Sequence, residues 1–398
     1  MTQGSIARRE FAKTVAAGAA GWMLAGRGMM AADAADAIQI DEPFHGAVLN
    51  RRHGTETPEG LKIRVRGQAP ASGQVTVNGA PASRDGRSFR ADIVLRRPET
   101  DVVAAWQDNG SRREARVRVV WDRYSVPRYR FSIDDNSFFL RDVAQKGYAS
   151  LFDCFYLKGL RDLNKKYGAK FVLNIYYTTG EDFSLPQFPD RYKGQWRDNA
   201  EWLRLAFHAN ADKPDRPYQD APPERLAADF DRVAEQIRRF AGEATYTPPT
   251  VIHWAMLRAE SLPVLARRGV RALSGYFRPG HGRAWDINYC LDDARSEYLW
   301  RHDALKDFAT GIVFSRVDIV CNETPIERIV PTLARAAADP NQAEIMDLFT
   351  HEQYFWPFYV RYLPDHFQRL DTAIRWVTEH GYKPVFFHEG LLGGREFV

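Results

Sequence analysis

A chain of 398 residues is long enough for one large domain with a small one beside it. With 44% hydrophobic and 27% charged residues it has the make-up of a soluble globular protein. A formal charge of only +4, with no basic run or Lys/Arg stripe, excludes a nucleic-acid partner held by charge. A nearly neutral chain with 13% aromatic residues instead suits a neutral, ring-rich ligand. Cys154, Cys290 and Cys321 show no metal-type spacing, so a disulfide framework is not expected; three buried thiols is the simpler reading.

The chain opens on Ala7-Arg8-Arg9-Glu10-Phe11-Ala12-Lys13, twin arginines with an apolar residue two places on. Thr14–Gly26 follows as an Ala/Gly-rich apolar run too short to span a bilayer comfortably, and Ala35-Asp36-Ala37 offers small residues for cleavage. The three regions in this order resemble a twin-arginine translocation signal over residues 1–37. That resemblance implies export of a folded protein to the periplasm or cell exterior, with no integral membrane segment after its removal. The remaining chain would carry a charge near +3.

From Pro43 to Trp121 no stretch has helical periodicity. Leu61-Lys62-Ile63-Arg64-Val65-Arg66 alternates apolar and basic residues as a half-buried strand does, and Val75-Thr76-Val77-Asn78-Gly79 runs a strand into an Asn-Gly turn. Phe89–Leu95, Asp101–Trp106 and Ala115–Val120 continue the series. The spacing predicts a small all-β sandwich over residues 38–124. In pattern it resembles the immunoglobulin-like modules attached to secreted carbohydrate enzymes, acting as a spacer or a glycan binder. A boundary falls near Tyr124-Ser125-Val126-Pro127.

Beyond Pro127 the period switches between two and 3.6. Strands are expected at Arg128–Asn136, Lys170–Tyr177, Trp202–His208, Thr250–His253, Arg271–Phe277, Glu344–Glu352 and Lys383–Glu389. Helices are expected around Leu157, Leu160 and Leu163, around Leu226, Phe230, Val233, Ile237 and Phe240, and around Phe367, Leu370, Ile374 and Val377. Residues 283–322 read as an antiparallel excursion. About seven strands alternating with helices predict an α/β domain over residues 125–398 with a parallel sheet, closed into a distorted (β/α)7-type barrel. Several strands end in an acid or a histidine, and in such a barrel the strand ends share one mouth.

The first of these strands ends in Asp134 and Asp135. Because a strand alternates its faces, two adjacent carboxylates can share the mouth only where the strand opens into a loop. Hydrolysis of an amide or ester needs a nucleophile at neutral pH and an acid for the leaving group. A bound metal can supply the first, and histidine with carboxylate suits zinc or a similar divalent ion. Asp135 and His208 are candidate ligands, with His253, Asp212 or Asp215 as the third; His253 is preferred because it too ends an expected strand. Glu352 and Glu389 are candidate orienting groups. Tyr176, Tyr177, Trp254 and Trp356, the last in the block Tyr354-Phe355-Trp356-Pro357-Phe358-Tyr359, are candidates to stack on sugar rings. His45, His53, His281, His302, His366 and His380 read as ordinary structural or surface residues.

With Phe131-Ser132-Ile133-Asp134-Asp135-Asn136 opening the domain, His208 next and His351 late, residues 128–390 resemble the polysaccharide deacetylases of the NodB-homology type. The resemblance implies a metal-dependent hydrolase that removes N- or O-acyl groups from a carbohydrate. It implies Asp134 as general base, Asp135 and His208 as metal ligands and His351 as the acid that protonates the leaving group. Asn136 stands where that family mostly has glycine, and Asp212 where its second metal histidine lies. Two other readings compete. One is a metal-free glycoside hydrolase pairing Asp134 or Asp135 with Glu352 or Glu389. The other is a glycan-binding protein without turnover.

Overall fold

The computed structural model describes residues 37–280 and 283–393. The twin-arginine segment, residue 37 excepted, and His281 lie outside the described residues. Among those described, no helix is long and apolar enough to cross a membrane.

One compact unit takes in residues 65–91 and 103–116 with the stretch ending at Glu42. All its described elements are strands. Gln39–Glu42 runs antiparallel to residues 66–68, and Ser83–Asp85 to residues 88–90. Gln74–Val77 lies between Ala80–Pro81 and residues 104–107. Alternate side chains (Val75 and Val77, Phe89 and Ala91, Ala104 and Trp106) are buried, the two-residue period of half-buried strands. Asn78 and Gly79 both adopt positive φ, at 47° and 83°, the hairpin geometry that an Asn-Gly pair favours.

The second unit comprises residues 43–64, 92–102 and everything from Val117 onward. Its main sheet is built on β1 (Arg128–Asn136), every residue of which is buried. A strand covered on both faces is the mark of a parallel sheet packed between helices. β2 (Phe171–Tyr176), β3 (Leu203–Ala209), β7 (Ile319–Val320) and β8 (Ile345–His351) complete the order β3-β2-β1-β8-β7, all parallel. A two-residue strand, β9 (Lys383–Pro384), pairs with the start of β1. A separate three-stranded sheet holds β4 (Ala272–Gly275), β5 (Ala304–Lys306) and β6 (Val313–Arg316) in the order β4-β6-β5.

Helices α1 (Phe138–Lys146), α2 (Phe155–Tyr167), α3 (Pro223–Phe240), α4 (Ile326–Ala338) and α5 (His366–Glu379) supply the cover. Leu157, Leu160 and Leu163 of α2, Phe230, Val233 and Ile237 of α3, and Leu370, Ile374 and Val377 of α5 join the strand side chains in one core. Burial of each such side chain contributes about 1.5–3 kcal/mol.

Three expectations change here. Among the described residues no sheet closes, so the barrel is not present as one hydrogen-bonded ring. Thr250–His253 forms no strand; it touches β4 through a single bond, Ser274 N–H to the Thr250 carbonyl at 2.7 Å. Pro248 and Pro249 precede it and have no N–H to donate, so a ladder cannot propagate from β3 through this segment. Likewise the expected strand to Glu389 stops at Pro384 and gives way to a short helix, Phe387–Gly390. Cys154 and Cys321 are buried, whereas Cys290 is half-buried.

Candidate metal centre and active site

At the end of β1 the backbone leaves the strand pattern. Asp135 takes a left-handed φ of 59°, and the register against β2 slips between Ile133 and Asn136. Aspartate tolerates this region better than most residues. The bulge suspends strict alternation, so Asp134 and Asp135 both line one cavity of about 280 Å³. Asn136 secures the bulge: its side-chain N–H groups donate to the carbonyls of Ile133 and Asn174, and its oxygen accepts from the Tyr156 hydroxyl at 2.7 Å. The asparagine in the glycine position is thus a structural tie.

Glu352 fixes the next residues. Its buried carboxylate accepts the backbone N–H groups of Ser137, Phe138 and Phe139 at 2.6–2.9 Å and the Trp356 indole N–H at 3.1 Å. It therefore caps α1, holding the chain just after Asp135 against the end of β8.

Three side chains converge beside Asp135. Its Oδ1 lies 3.0 Å from His208 Nε2 and 3.4 Å from His253 Nδ1, and the two imidazole nitrogens are 3.1 Å apart. The partners assign the tautomers. His253 Nε2–H donates to the Asp212 carbonyl at 3.2 Å, and His208 Nδ1 faces the Val251 carbonyl at 3.4 Å. Each ring then turns a bare nitrogen toward the same carboxylate oxygen. Three lone pairs facing one another repel unless a cation or a shared proton lies between them. Bonds of about 2.0–2.1 Å to one tetrahedral ion would set its ligands ~3.3 Å apart, close to all three separations. Asp135, His208 and His253 are also the group that meets metal-ligand geometry among the described residues. The residues fit a divalent cation, with two nitrogens and one oxygen of the type zinc accepts.

His253 arrives without a strand. It starts a tight turn in which Trp254 and Ala255 adopt φ of 64° and 47°, and this distortion aims the ring inward. Tyr176, at the end of β2, donates its hydroxyl to Asp135 Oδ1, and Gln353 donates to Oδ2 at 2.9 Å. Burial pushes the Tyr176 phenol well above its ordinary range, aided by the charge of Asp135, so it stays a neutral donor.

The two aspartates are driven apart. Burial raises the Asp134 carboxyl against the opposing pull of His208, His351 and Asn174. Burial acts on Asp135 too, but the neighbouring imidazoles of His208 and His253 outweigh it and hold that carboxyl well below its ordinary range. Such a split separates a proton acceptor from a permanent anion. Asp134 Oδ1 accepts from Asn174 at 2.6 Å, which leaves Oδ2 turned toward His208 Nε2 at 3.9 Å. His351 donates Nδ1–H to Asn322 Oδ1 at 3.0 Å, and its Nε2 stands 3.9 Å from Asp135 Oδ2.

The remaining candidates are placed differently. Asp212 acts through its carbonyl while its side chain is exposed, and Asp215 is exposed and paired with Lys213 at 2.6 Å; both lie at the cavity rim. Trp254 lines the cavity under the Arg216 guanidinium. Tyr177 packs beneath Arg232, and Trp356 is buried among Phe138, Phe155 and Phe358. Glu352 is committed to the α1 backbone, and Glu389 pairs with Arg204; neither lines the cavity. The paired-carboxylate alternative therefore lacks its second carboxylate. Asn174, Asn322 and Gln353 were missed by sequence reasoning. Asn174 had a signal, since it precedes Tyr176 by two and shares its face of β2. Asn322 had none.

No protein-family model and no curated protein matches the chain. Similar solved structures include a CE4 family pseudoenzyme from Bacillus anthracis, at 10% identity and a TM-score of 0.33 over 65% of this chain. The chain spans 63% of that protein's length. A family 4 acetyl xylan esterase from Clostridium thermocellum, in complex with a cobalt ion, matches at 14% identity and 0.32, over 66% of this chain and 88% of that one. A 4-alpha-glucanotransferase from Thermococcus litoralis matches at 12% and 0.43, over 67% and 40%. With every TM-score below 0.5, these likenesses carry no argument about function, which rests on the geometry of the site.

Proposed function

We propose that the protein is a metal-dependent hydrolase that removes acyl groups from a carbohydrate. The observation that carries this is the set of three mutually spaced ligand atoms of Asp135, His208 and His253, with Asp134 and His351 lining the same cavity. A divalent cation held there supplies Lewis acidity, polarising the acyl carbonyl and making water a competent nucleophile near neutral pH. Asp134 Oδ2 accepts the proton of the attacking water as its oxygen bonds to the carbonyl carbon. His351, oriented by Asn322, delivers a proton to the leaving nitrogen or oxygen as the acyl bond breaks. The products are a carboxylate and a free sugar amine or hydroxyl. Asn174, Tyr176 and Gln353 hold the two aspartates in their separate roles.

The same proposal includes export by the twin-arginine route, supported by Arg8-Arg9 and the apolar run after it, and residues 38–124 as an immunoglobulin-like module that precedes the catalytic domain in the chain. Its test is metal content and turnover of acetylated glycans by purified protein. Zinc or a similar ion at one per chain, with activity lost to a chelator and regained on metal return, is the expected result. Full activity in metal-free protein would overturn it.

A further inference from the structure

The site described above joins two cavities of different character. The cavity of about 280 Å³ and a broader groove of about 1060 Å³ share Asp135, His351 and Trp254. The groove continues along Thr178–Glu181, Gln353 and Tyr359, a polar and aromatic lining suited to a glycan.

The smaller cavity is built otherwise. Val317, Val320 and Phe349 form a buried apolar cluster separate from the main core, with Tyr276 packed against it. Phe349 precedes His351 by two on β8 and shares its face, and the two rings meet nearly edge-on with centroids 4.7 Å apart. Tyr276 meets Phe349 edge-on in turn, at 6.4 Å. Val317, Phe349 and Tyr276 line one wall of the cavity and Val251 and Ile287 extend it, while Lys213, Arg278 and Glu323 belong to its polar remainder. A wholly apolar cavity of about 150 Å³ accommodates a benzene ring; this cavity of about 280 Å³ includes the space beside the catalytic groups and still has room along its apolar wall for more than a methyl group.

Resting on the proposed hydrolase reading, we infer that this cavity receives the acyl tail and that the enzyme prefers saturated acyl chains longer than acetyl, in the range of four to six carbons. The carbonyl sits against Asp134 and Asp135, the tail runs along Phe349 and Val317, and the sugar occupies the groove. Each methylene moved from water into the apolar cavity raises kcat/KM about fourfold while space lasts.

The test is a series of glucosamine and xylose oligosaccharides carrying acetyl, butyryl, hexanoyl or octanoyl groups, assayed with the metal-loaded full-length protein. The expected result is a rise of about tenfold or more from acetyl to butyryl and an optimum at or below hexanoyl. Calorimetry should show hexanoate binding more tightly than acetate. Val317→Trp and Phe349→Trp should move the optimum toward acetyl. Acetyl preferred over every longer chain by the wild-type protein would overturn the inference and leave the hydrolase reading standing. No turnover of any chain length would remove both.

Discussion

Asp134 and His351 are register partners, directly opposite one another at the C-terminal ends of the adjacent parallel strands β1 and β8. The proposed proton acceptor and proton donor are therefore positioned by the sheet ladder itself. Asp135, one residue on, escapes the ladder through its left-handed backbone and joins two histidines instead.

This separation of roles gives the first expectation. Asp135→Ala should lose bound metal and activity together. Asp134→Asn and His351→Ala should keep the metal and lose about 10²–10⁴-fold in turnover, the usual worth of a positioned acid or base. Metal content measured across the three variants decides the matter; equal loss in all three would show the roles misassigned.

Tyr176→Phe removes the hydroxyl that holds Asp135 Oδ1 while keeping the ring. Metal affinity should fall by about tenfold or somewhat more, as when a ligand loses its hydrogen-bond partner. Titration calorimetry against zinc checks this, with the thermal midpoint of the metal-free protein little changed.

Burial raises Glu352 from 4.5 to about 7, overriding its four hydrogen bonds. A carboxyl whose folded pKa lies above its unfolded one contributes stability that is complete below the unfolded value and lost as pH rises through the folded value. Relative to Glu352→Gln, the wild-type protein should lose about 2–4 kcal/mol between pH 4.5 and pH 8. Urea unfolding of both proteins across that window measures the difference; parallel curves would contradict it.

Below the site, Arg130 pairs with Asp347 at 2.6 Å and donates to Thr250 at 2.8 Å, all of them buried. Arg130→Met leaves the Asp347 charge uncompensated and frees the segment leading to His253. A loss of about 3–5 kcal/mol in unfolding free energy is expected, with weakened metal binding even where the variant remains folded.

Changing Arg8 and Arg9 together to lysine should leave precursor in the cytoplasm of the producing cell. Fractionation with an antibody to the folded protein reads the outcome directly, and normal export of the variant would refute the twin-arginine proposal.

What the sequence determined by itself was set by short-range rules. The alternation at Val75–Val77 and Phe89–Ala91 follows from the two-residue period of a strand. The apolar spacing of Leu226 through Phe240 follows from the helical repeat, and both patterns are visible without any partner. The strand-end positions of Asp134, His208 and His351 were legible for the same reason. Tertiary structure decided the rest. Pro248 and Pro249 interrupt the ladder beyond β3 and the chain turns into a helix at Phe387, so an expected ring of strands became an open sheet and a separate one. His253 reaches the site from a turn whose left-handed residues no local preference dictates. Glu352 looked like a group for a histidine and instead caps a helix more than two hundred residues earlier in the chain, because an unsatisfied helix end beside a buried carboxylate is a contact that only the folded chain creates.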